Sequence, residues 1–172
     1  MKYSYSLIYE KNAAFFRARP RLLKALPLIN HGLTVLFFLF YALFLANAVA
    51  LEYPPEDLVK ILGAPALCLF LVSFLRLCIH RPRPYSEAGA NIQPLYTKKG
   101  SDEHSFPSRH VACAFVIACT VFPYSIGAGI CSLLFGGILA YVRFTLGVHY
   151  PSDLIGGALL GVACSVGVGF VL

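Results

Sequence analysis

Long apolar runs separated by short polar breaks organise this chain. From Ala25 to Leu51 no residue carries a formal charge, and the stretch is long enough to cross a bilayer, which takes about 20 apolar residues. The turn Glu52-Tyr-Pro-Pro-Glu-Asp57 ends it. A second apolar run covers about 58–79, with Lys60 near one end and Arg76 near the other. Residues 80–105 form the one long polar segment after the N-terminus, and hold His80, Arg81, Arg83, Lys98, Lys99, Asp102, Glu103 and His104. A structureless loop of that length is usually functional or disordered. A third run goes from Phe106 to about Phe122-Pro123, a fourth covers about 126–147 after an uncharged break, and a fifth covers 152–172. The pattern predicts an all-α, polytopic membrane helix bundle with about five transmembrane helices.

Residues 1–24 differ in kind. Lys2, Lys11, Arg17, Arg19, Arg21 and Lys24 stand against Glu10 alone, interleaved with Tyr3, Tyr5, Tyr9, Phe15, Phe16, Leu22 and Leu23. Two readings fit: an amphipathic helix lying on an anionic membrane surface, or a plain positive-inside flank. A cleaved signal fits poorly, because basic residues continue to Lys24 and the apolar run that follows is too long. The division is therefore a basic N-terminal segment, 1–24, and a membrane domain, 25–172, whose candidate chemistry falls within 76–153.

Composition narrows the class. With 58% hydrophobic residues, 13% charged residues and a mean hydropathy of +0.72, a water-soluble globule is excluded. The net charge of +6 would suggest nucleic acid in a soluble protein. In a membrane protein it suggests anionic lipid, an anionic substrate or topology signals, and no nucleic-acid partner is expected. Cys68, Cys78, Cys113, Cys119, Cys131 and Cys164 all sit in apolar stretches without a Cys-x-x-Cys pair. They read as small hydrophobes in helix packing rather than zinc ligands or a disulfide framework. Gly157, Gly161, Ser165 and Gly169 recur every four residues. That ridge suits close helix contact, within one molecule or between two; the oligomeric state stays open.

The charged residues inside the membrane domain lie at helix ends that can share one face. This brings Arg76, His80, Arg81 and Arg83 towards Ser108, Arg109 and His110, and both groups towards Arg143, His149 and Asp153. Ionisable residues in such places are expensive and read as functional by default. Guanidinium forks donate bidentate bonds to a tetrahedral oxyanion. The Pro107-Ser108 step opens the third membrane helix, whose free N–H groups also attract phosphate. Two histidines can divide attack on phosphorus and protonation of the leaving oxygen. In His149-Tyr-Pro-Ser-Asp153 the carboxylate can reach back to the imidazole and fix its tautomer, or Asp153 can be an ordinary helix-start carboxylate.

These residues fall into three ordered motifs, and the arrangement resembles the type 2 phosphatidate phosphatases, relatives of the vanadium-dependent haloperoxidases. The family's Lys-x6-Arg-Pro appears as Arg76 to Arg83-Pro84, its Pro-Ser-Gly-His as Pro107-Ser108-Arg109-His110, and its Ser-Arg-x5-His-x3-Asp as Val142-Arg143, His149 and Asp153. Order and spacings match, over about residues 58–172.

The resemblance implies a lipid phosphatase. His149 would be the nucleophile that forms a phosphohistidine, and Asp153 would orient it. His110 would be the general acid and then the base for water. Arg76, Arg83, Ser108 and Arg143 would hold the phosphate. No metal or other cofactor is expected, since arginines take the role Mg²⁺ has elsewhere. Three positions depart from the pattern. Arg76 keeps the charge of Lys, Val142 loses one hydrogen bond, and Arg109 either turns outward to headgroups or adds a phosphate ligand. Compatible substrates are undecaprenyl diphosphate, phosphatidate and phosphatidylglycerophosphate, with membrane lipids as neighbours. Competing readings are a small anion transporter or channel, and a catalytically silent lipid-binding protein.

The expected location is the cell membrane, with several crossings. The basic N-terminus argues for a cytoplasmic site. The family's usual working side argues for the outer face, and that is the expectation adopted.

Overall fold

The computed structural model describes residues 2–86, 88–90, 92–96 and 104–171, with side chains described from Tyr5 onward. Lys98, Lys99, Asp102 and Glu103, read above as part of the polar segment, lie outside the described residues.

Six helices follow one another: α1 (Lys2–Arg17), α2 (Pro20–Ala50), α3 (Pro55–Cys78), α4 (Arg109–Val121), α5 (Ile126–Thr145) and α6 (Pro151–Val171). Punctuation in the sequence explains most of their boundaries. Pro20, Pro55 and Pro151 each open a helix, where the missing N–H costs nothing and φ is already set. Glu56 and Asp57 add acid to the first turn of α3, and Asp153 does the same in α6, which suits the positive end of the helix dipole. Ser125 caps α5, its hydroxyl accepting from Ala128 N at 3.4 Å.

Four helices, α2, α3, α5 and α6, are long and apolar enough to cross a membrane, so the chain is a multi-pass membrane protein. The fifth expected crossing corresponds to α4, which has 13 residues. At 1.5 Å per residue it spans about 20 Å, short of the roughly 30 Å hydrocarbon core. Its apolar character has another cause: Val111, Ala112, Ala114, Val116, Ile117, Ala118, Thr120 and Val121 are all buried. α4 is the hub of the bundle, packed against α3, α5 and α6, and its neighbours shield it from lipid. Pro107 does not lie in its first turn as expected. It precedes the N-cap Ser108 and is joined to Phe106 by a cis peptide bond.

The small-residue ridge of α6 meets α4. A Cβ on Gly157 would stand 2.7 Å from Ser108 O, and one on Gly161 would stand 2.5 Å from Ala112 O. One turn on, Thr120 Oγ1 donates to Ser165 Oγ at 3.2 Å, whereas Gly169 faces open space. The ridge therefore works within the molecule. Cys68 and Cys164 belong to the adjoining core with Val72, Ala112 and Val116.

The basic N-terminal stretch forms a helix that ends earlier than the 1–24 boundary and is tied to the rest of the protein along one face. α1 ends at Arg17, and Pro20 to Lys24 already belong to the long α2. Tyr5, Tyr9 and Ala13, spaced four apart, are buried and pack with Ile92, Phe144 and Tyr150. Tyr9 Oη donates to Gln93 O at 3.2 Å and accepts from Leu95 N at 3.1 Å. Arg17 donates to Gln93 O at 2.7 Å, and Asn12 Nδ2 donates to Thr145 Oγ1 at 2.9 Å. Leu7, Ile8 and Phe15 stay exposed. α1 is thus a strap over the polar loop and the end of α5, with its other apolar face turned outward. Gly147, at φ +77°, makes the turn after α5 possible. A Cβ there would also stand 2.8 Å from Tyr9 Oη.

Candidate active site

The ends of α3, α4 and α5, the start of α6 and the loop after α3 meet at one end of the bundle. Together they surround a cavity of about 620 Å³. Arg76 from the last turn of α3, Arg83 from the loop, Arg109 and His110 from the first turn of α4, Arg143 from the last turn of α5, and His149 before α6 all line it. Six of the eight residues singled out in the sequence therefore share one cavity. Ser108 and Asp153 are fully buried and do not line it.

Arg76 and Arg83 are held by backbone carbonyls. Arg76 donates to Pro107 O at 3.1 Å and to His104 O. Arg83 Nη1 donates to Val148 O at 3.0 Å. Arg143 Nε is buried without a partner. A buried guanidinium with an unmet donor beside a cavity is suited to an anion. Val142, at the position where the family has Ser, is buried with Leu26, Leu146 and Val148.

His149 is 2% exposed. Burial pushes its pKa down to about 4, with Arg83 and Arg143 adding to the effect while Asp153 opposes it. The ring is therefore neutral at pH 7, the form in which an imidazole nitrogen can attack. Its Nδ1 stands 3.6 Å from Asp153 Oδ2, a charge-pair distance longer than a hydrogen bond.

Asp153 is engaged more heavily than its sequence position suggested. Oδ2 accepts from Tyr150 N at 2.8 Å and from Ser105 Oγ. The Tyr150 contact is a helix start in which the third residue reaches back to the cap N–H. Oδ1 accepts from Arg81 Nη1 at 2.6 Å. Asp153 thus starts α6 and also stands beside His149. Arg81, which occupies no motif position, lies behind His149, against the carboxylate. His80 and His104 pair with ring centroids 5.2 Å apart.

The sequence reading also missed the wall opposite the arginines. Pro27, Leu28, Asn30, His31 and Thr34 of α2 line the cavity, and Asn30 Oδ1 is buried without a partner. A smaller, apolar crevice of about 90 Å³ shares Thr34, Arg109 and His110 with the main cavity, and adds Phe37, Phe38, Leu69, Cys113, Ala114 and Leu139. Arg109 is exposed yet borders both spaces.

The family model of the PAP2 superfamily matches residues 57–169, a span that contains every motif residue named above. The chain belongs to the PAP2 superfamily. Among curated PAP2-like relatives, the chain is 30% identical over 105 residues to "Putative undecaprenyl-diphosphatase YbjG" of Escherichia coli strain K12, covering 60% of this chain and 51% of that protein. It is 32% identical over 119 residues to the lipid A 4'-phosphatase of Bacteroides thetaiotaomicron, covering 66% and 51%. The chain thus spans about half the length of these relatives. The crystal structure of LpxE from Aquifex aeolicus superposes with a TM-score of 0.63 at 25% identity, covering 87% of this chain and 93% of that one. The PAP2 match begins after α2, so the Asn30–Thr34 wall lies outside it.

Proposed function

We propose that this PAP2 protein is a metal-independent membrane lipid phosphatase that removes phosphate from a lipid phosphate or diphosphate through a phosphohistidine. The observation that carries the proposal is the joint cavity. Four arginines and three histidines border a space large enough for a phosphorylated headgroup, and an apolar crevice opens beside it for the start of a hydrocarbon tail.

The chemistry follows from the geometry. Arg76, Arg83 and Arg143 hold the phosphoryl oxygens and take up charge in the transition state. Neutral His149 attacks phosphorus through Nε2, because Nδ1 faces Asp153. The bond from that phosphorus to the leaving oxygen breaks (the ester oxygen of a lipid monophosphate, the bridging oxygen of a diphosphate), and His110 gives that oxygen its proton. Water then loses a proton to His110 and attacks phosphorus. The P–N bond breaks, and inorganic phosphate leaves with His149 restored. Asp153 stabilises the positive ring while the P–N bond exists. Ser108, buried behind the cavity wall, serves this scheme by tying α4 to α6, its N–H donating to Asp153 O at 3.0 Å.

The substrate class is undecaprenyl diphosphate, phosphatidate or phosphatidylglycerophosphate, presented with its tail in the bilayer. We place the site on the outer face. α1 packs on the site loop, so the N-terminus and the site share a side. Arg17 and Arg19 are occupied by contacts with Glu10, Gln93 O, Phe15 O and the Phe15 ring, which weakens them as topology signals. Labelling of Ser86→Cys in a cysteine-free background, in intact cells with an impermeant reagent, tests the side.

The test of function is phosphate release by the purified protein from each of the three lipids in the presence of EDTA. Wild type turns over at least one of them, and His149→Ala and His110→Ala reduce that turnover by at least about a thousandfold. Unchanged turnover in His149→Ala, with the fold intact, would refute the mechanism.

A further inference from the structure

Asp153 is the only acid beside His149 among the described residues, and it is enclosed on three sides. Arg81 Nη1 meets Oδ1 at 2.6 Å, and the same nitrogen donates to Ser152 Oγ at 2.9 Å. The Arg81 guanidinium lies over the Tyr150 ring, 4.5 Å from its centroid. Ser105 Oγ and Tyr150 N both donate to Oδ2, the oxygen 3.6 Å from His149 Nδ1. Ser105 N in turn donates to Arg81 O at 2.9 Å, so the two clamping residues are tied to each other. Neither residue lines the cavity, although Arg81 is two positions from Arg83, which does.

We propose that Arg81 and Ser105 are positioning residues for the reaction: they clamp Asp153 behind His149, fixing where its carboxylate stands and how much of its charge the imidazole feels. The proposal rests on the phosphohistidine reading above. Its physical basis is a balance. A free, buried carboxylate beside an imidazole would draw a proton onto the ring and leave no lone pair for attack. With Arg81 on one oxygen and two donors on the other, the carboxylate is largely satisfied while the ring is neutral. It remains the near anion when positive charge appears on His149 during P–N bond formation. The other charged and titratable groups around the pair fit this balance. Arg83 and Arg143 face the ring and disfavour its protonation, and Arg76, Arg109 and His110 border the cavity with it. Tyr5 and Tyr150 flank Asp153 on the strap side, and His31 faces the cavity from α2.

Arg81 thus differs from its neighbour Arg83 in a measurable way. A phosphate ligand lost by mutation raises KM and weakens a phosphate mimic. A lost positioning residue lowers kcat and moves the pH profile while the mimic still binds. The test uses full-length protein in nanodiscs, with dioctanoyl phosphatidate as substrate and sodium orthovanadate as the mimic. The variants are Arg81→Lys, Arg81→Met and Ser105→Ala, with Arg83→Met as contrast, and the His149 midpoint is read by NMR of ¹⁵N-histidine protein. In Arg81→Met, kcat falls roughly tenfold to a hundredfold, KM and vanadate affinity stay within about twofold, and the acid limb of kcat/KM and the His149 midpoint both rise by about one pH unit. Arg81→Lys recovers part of each effect, since a point charge replaces the fork. Ser105→Ala moves both readouts in the same direction by less. Arg83→Met loses vanadate affinity instead.

If Arg81→Met does not fold, Arg81→Lys and Ser105→Ala decide. Wild-type pH limbs and His149 midpoints in these variants overturn the clamp, and so does vanadate affinity lost in step with kcat. Absence of wild-type turnover on every lipid tested, together with a raised His149 midpoint in the variants, refutes the phosphatase reading and leaves the clamp standing.

Discussion

Neutral, buried His149 has a consequence for stability that can be measured without any substrate. In the unfolded chain its imidazole has the ordinary pKa of 6.5, and in the folded protein burial lowers that to about 4. Between these values the unfolded state binds a proton that the native state refuses. Native stability from this residue is therefore complete above pH 6.5, falls as pH drops towards 4, and changes no further below that. The difference of about two and a half units corresponds to about 3 kcal/mol in full, of which about 1 kcal/mol is lost by pH 5.5 and between about 2 and 3 kcal/mol by pH 4.5. For a chain of this length 1 kcal/mol moves the melting temperature by about 2–4 °C. The contribution at pH 4.5 is therefore roughly 4–12 °C. The assay is thermal unfolding in one detergent from pH 7.5 to 4.5, for wild type and His149→Gln, whose side chain is polar but does not titrate. Other groups titrate in both proteins and cancel in the comparison. Wild type must lose more on acidification than the variant, by that interval. Parallel curves would refute a buried, neutral His149. A variant that loses more than wild type would reverse the sign, and the ring would then be a resting cation paired to Asp153.

Other predictions follow from the packing and the cavity. Gly161→Val puts a side chain where the first atom already stands 2.5 Å from Ala112 O, and should cost about 1–3 kcal/mol by thermal unfolding; Gly169→Val, with nothing within 4 Å, should stay within about 0.5 kcal/mol. Arg143→Met should weaken orthovanadate binding about ten- to a hundredfold by titration calorimetry without loss of stability, because it removes a buried guanidinium whose Nε has no partner. Tyr9→Phe removes the hydroxyl that joins Gln93 O and Leu95 N to α1; it should cost about 1–2 kcal/mol and speed amide hydrogen exchange at residues 92–96.

The helices were legible because apolar runs and helix-opening prolines leave a direct trace in sequence. α4 shows where that trace is ambiguous. A run that is apolar because lipid surrounds it and one that is apolar because other helices surround it look alike, and the short break after Val121 alone hinted at the difference. The first helix boundary was misplaced at Lys24 because charge was used as punctuation. Charge does not stop a helix, whereas the Ala18-Arg19-Pro20 step does. Within the site, the motif residues could be found because their order and spacings along helix ends match the three motifs of the family. Arg81 could be placed near the site but not against Asp153, and Ser105 could not be placed at all, since both reach the carboxylate from an irregular loop that carries no periodicity. Asn30 and His31 did leave a signal that went unused. Polar side chains inside an otherwise apolar membrane run are expensive and therefore seldom idle, and here they form the cavity wall facing the arginines.

The contact between α4 and α6 explains why so small a bundle can hold this site together. His110 stands in the first turn of α4 and Asp153 in the first turn of α6, so their relative position depends on how closely the two helix starts approach. Gly157 fixes that approach, because any larger residue would meet Ser108 O and the N–H of Ala112. The Ser108 N–H bond to Asp153 O then locks the two starts in register. Chemistry and packing converge on the same few residues. The short, buried helix α4 presents His110, the proposed general acid, and its glycine-bearing partner α6 places the Asp153 carboxylate beside His149, the proposed nucleophile. A substitution that separates α4 from α6 by even half an ångström would therefore act on turnover before it acted on folding, because reacting groups tolerate less displacement than packed side chains do.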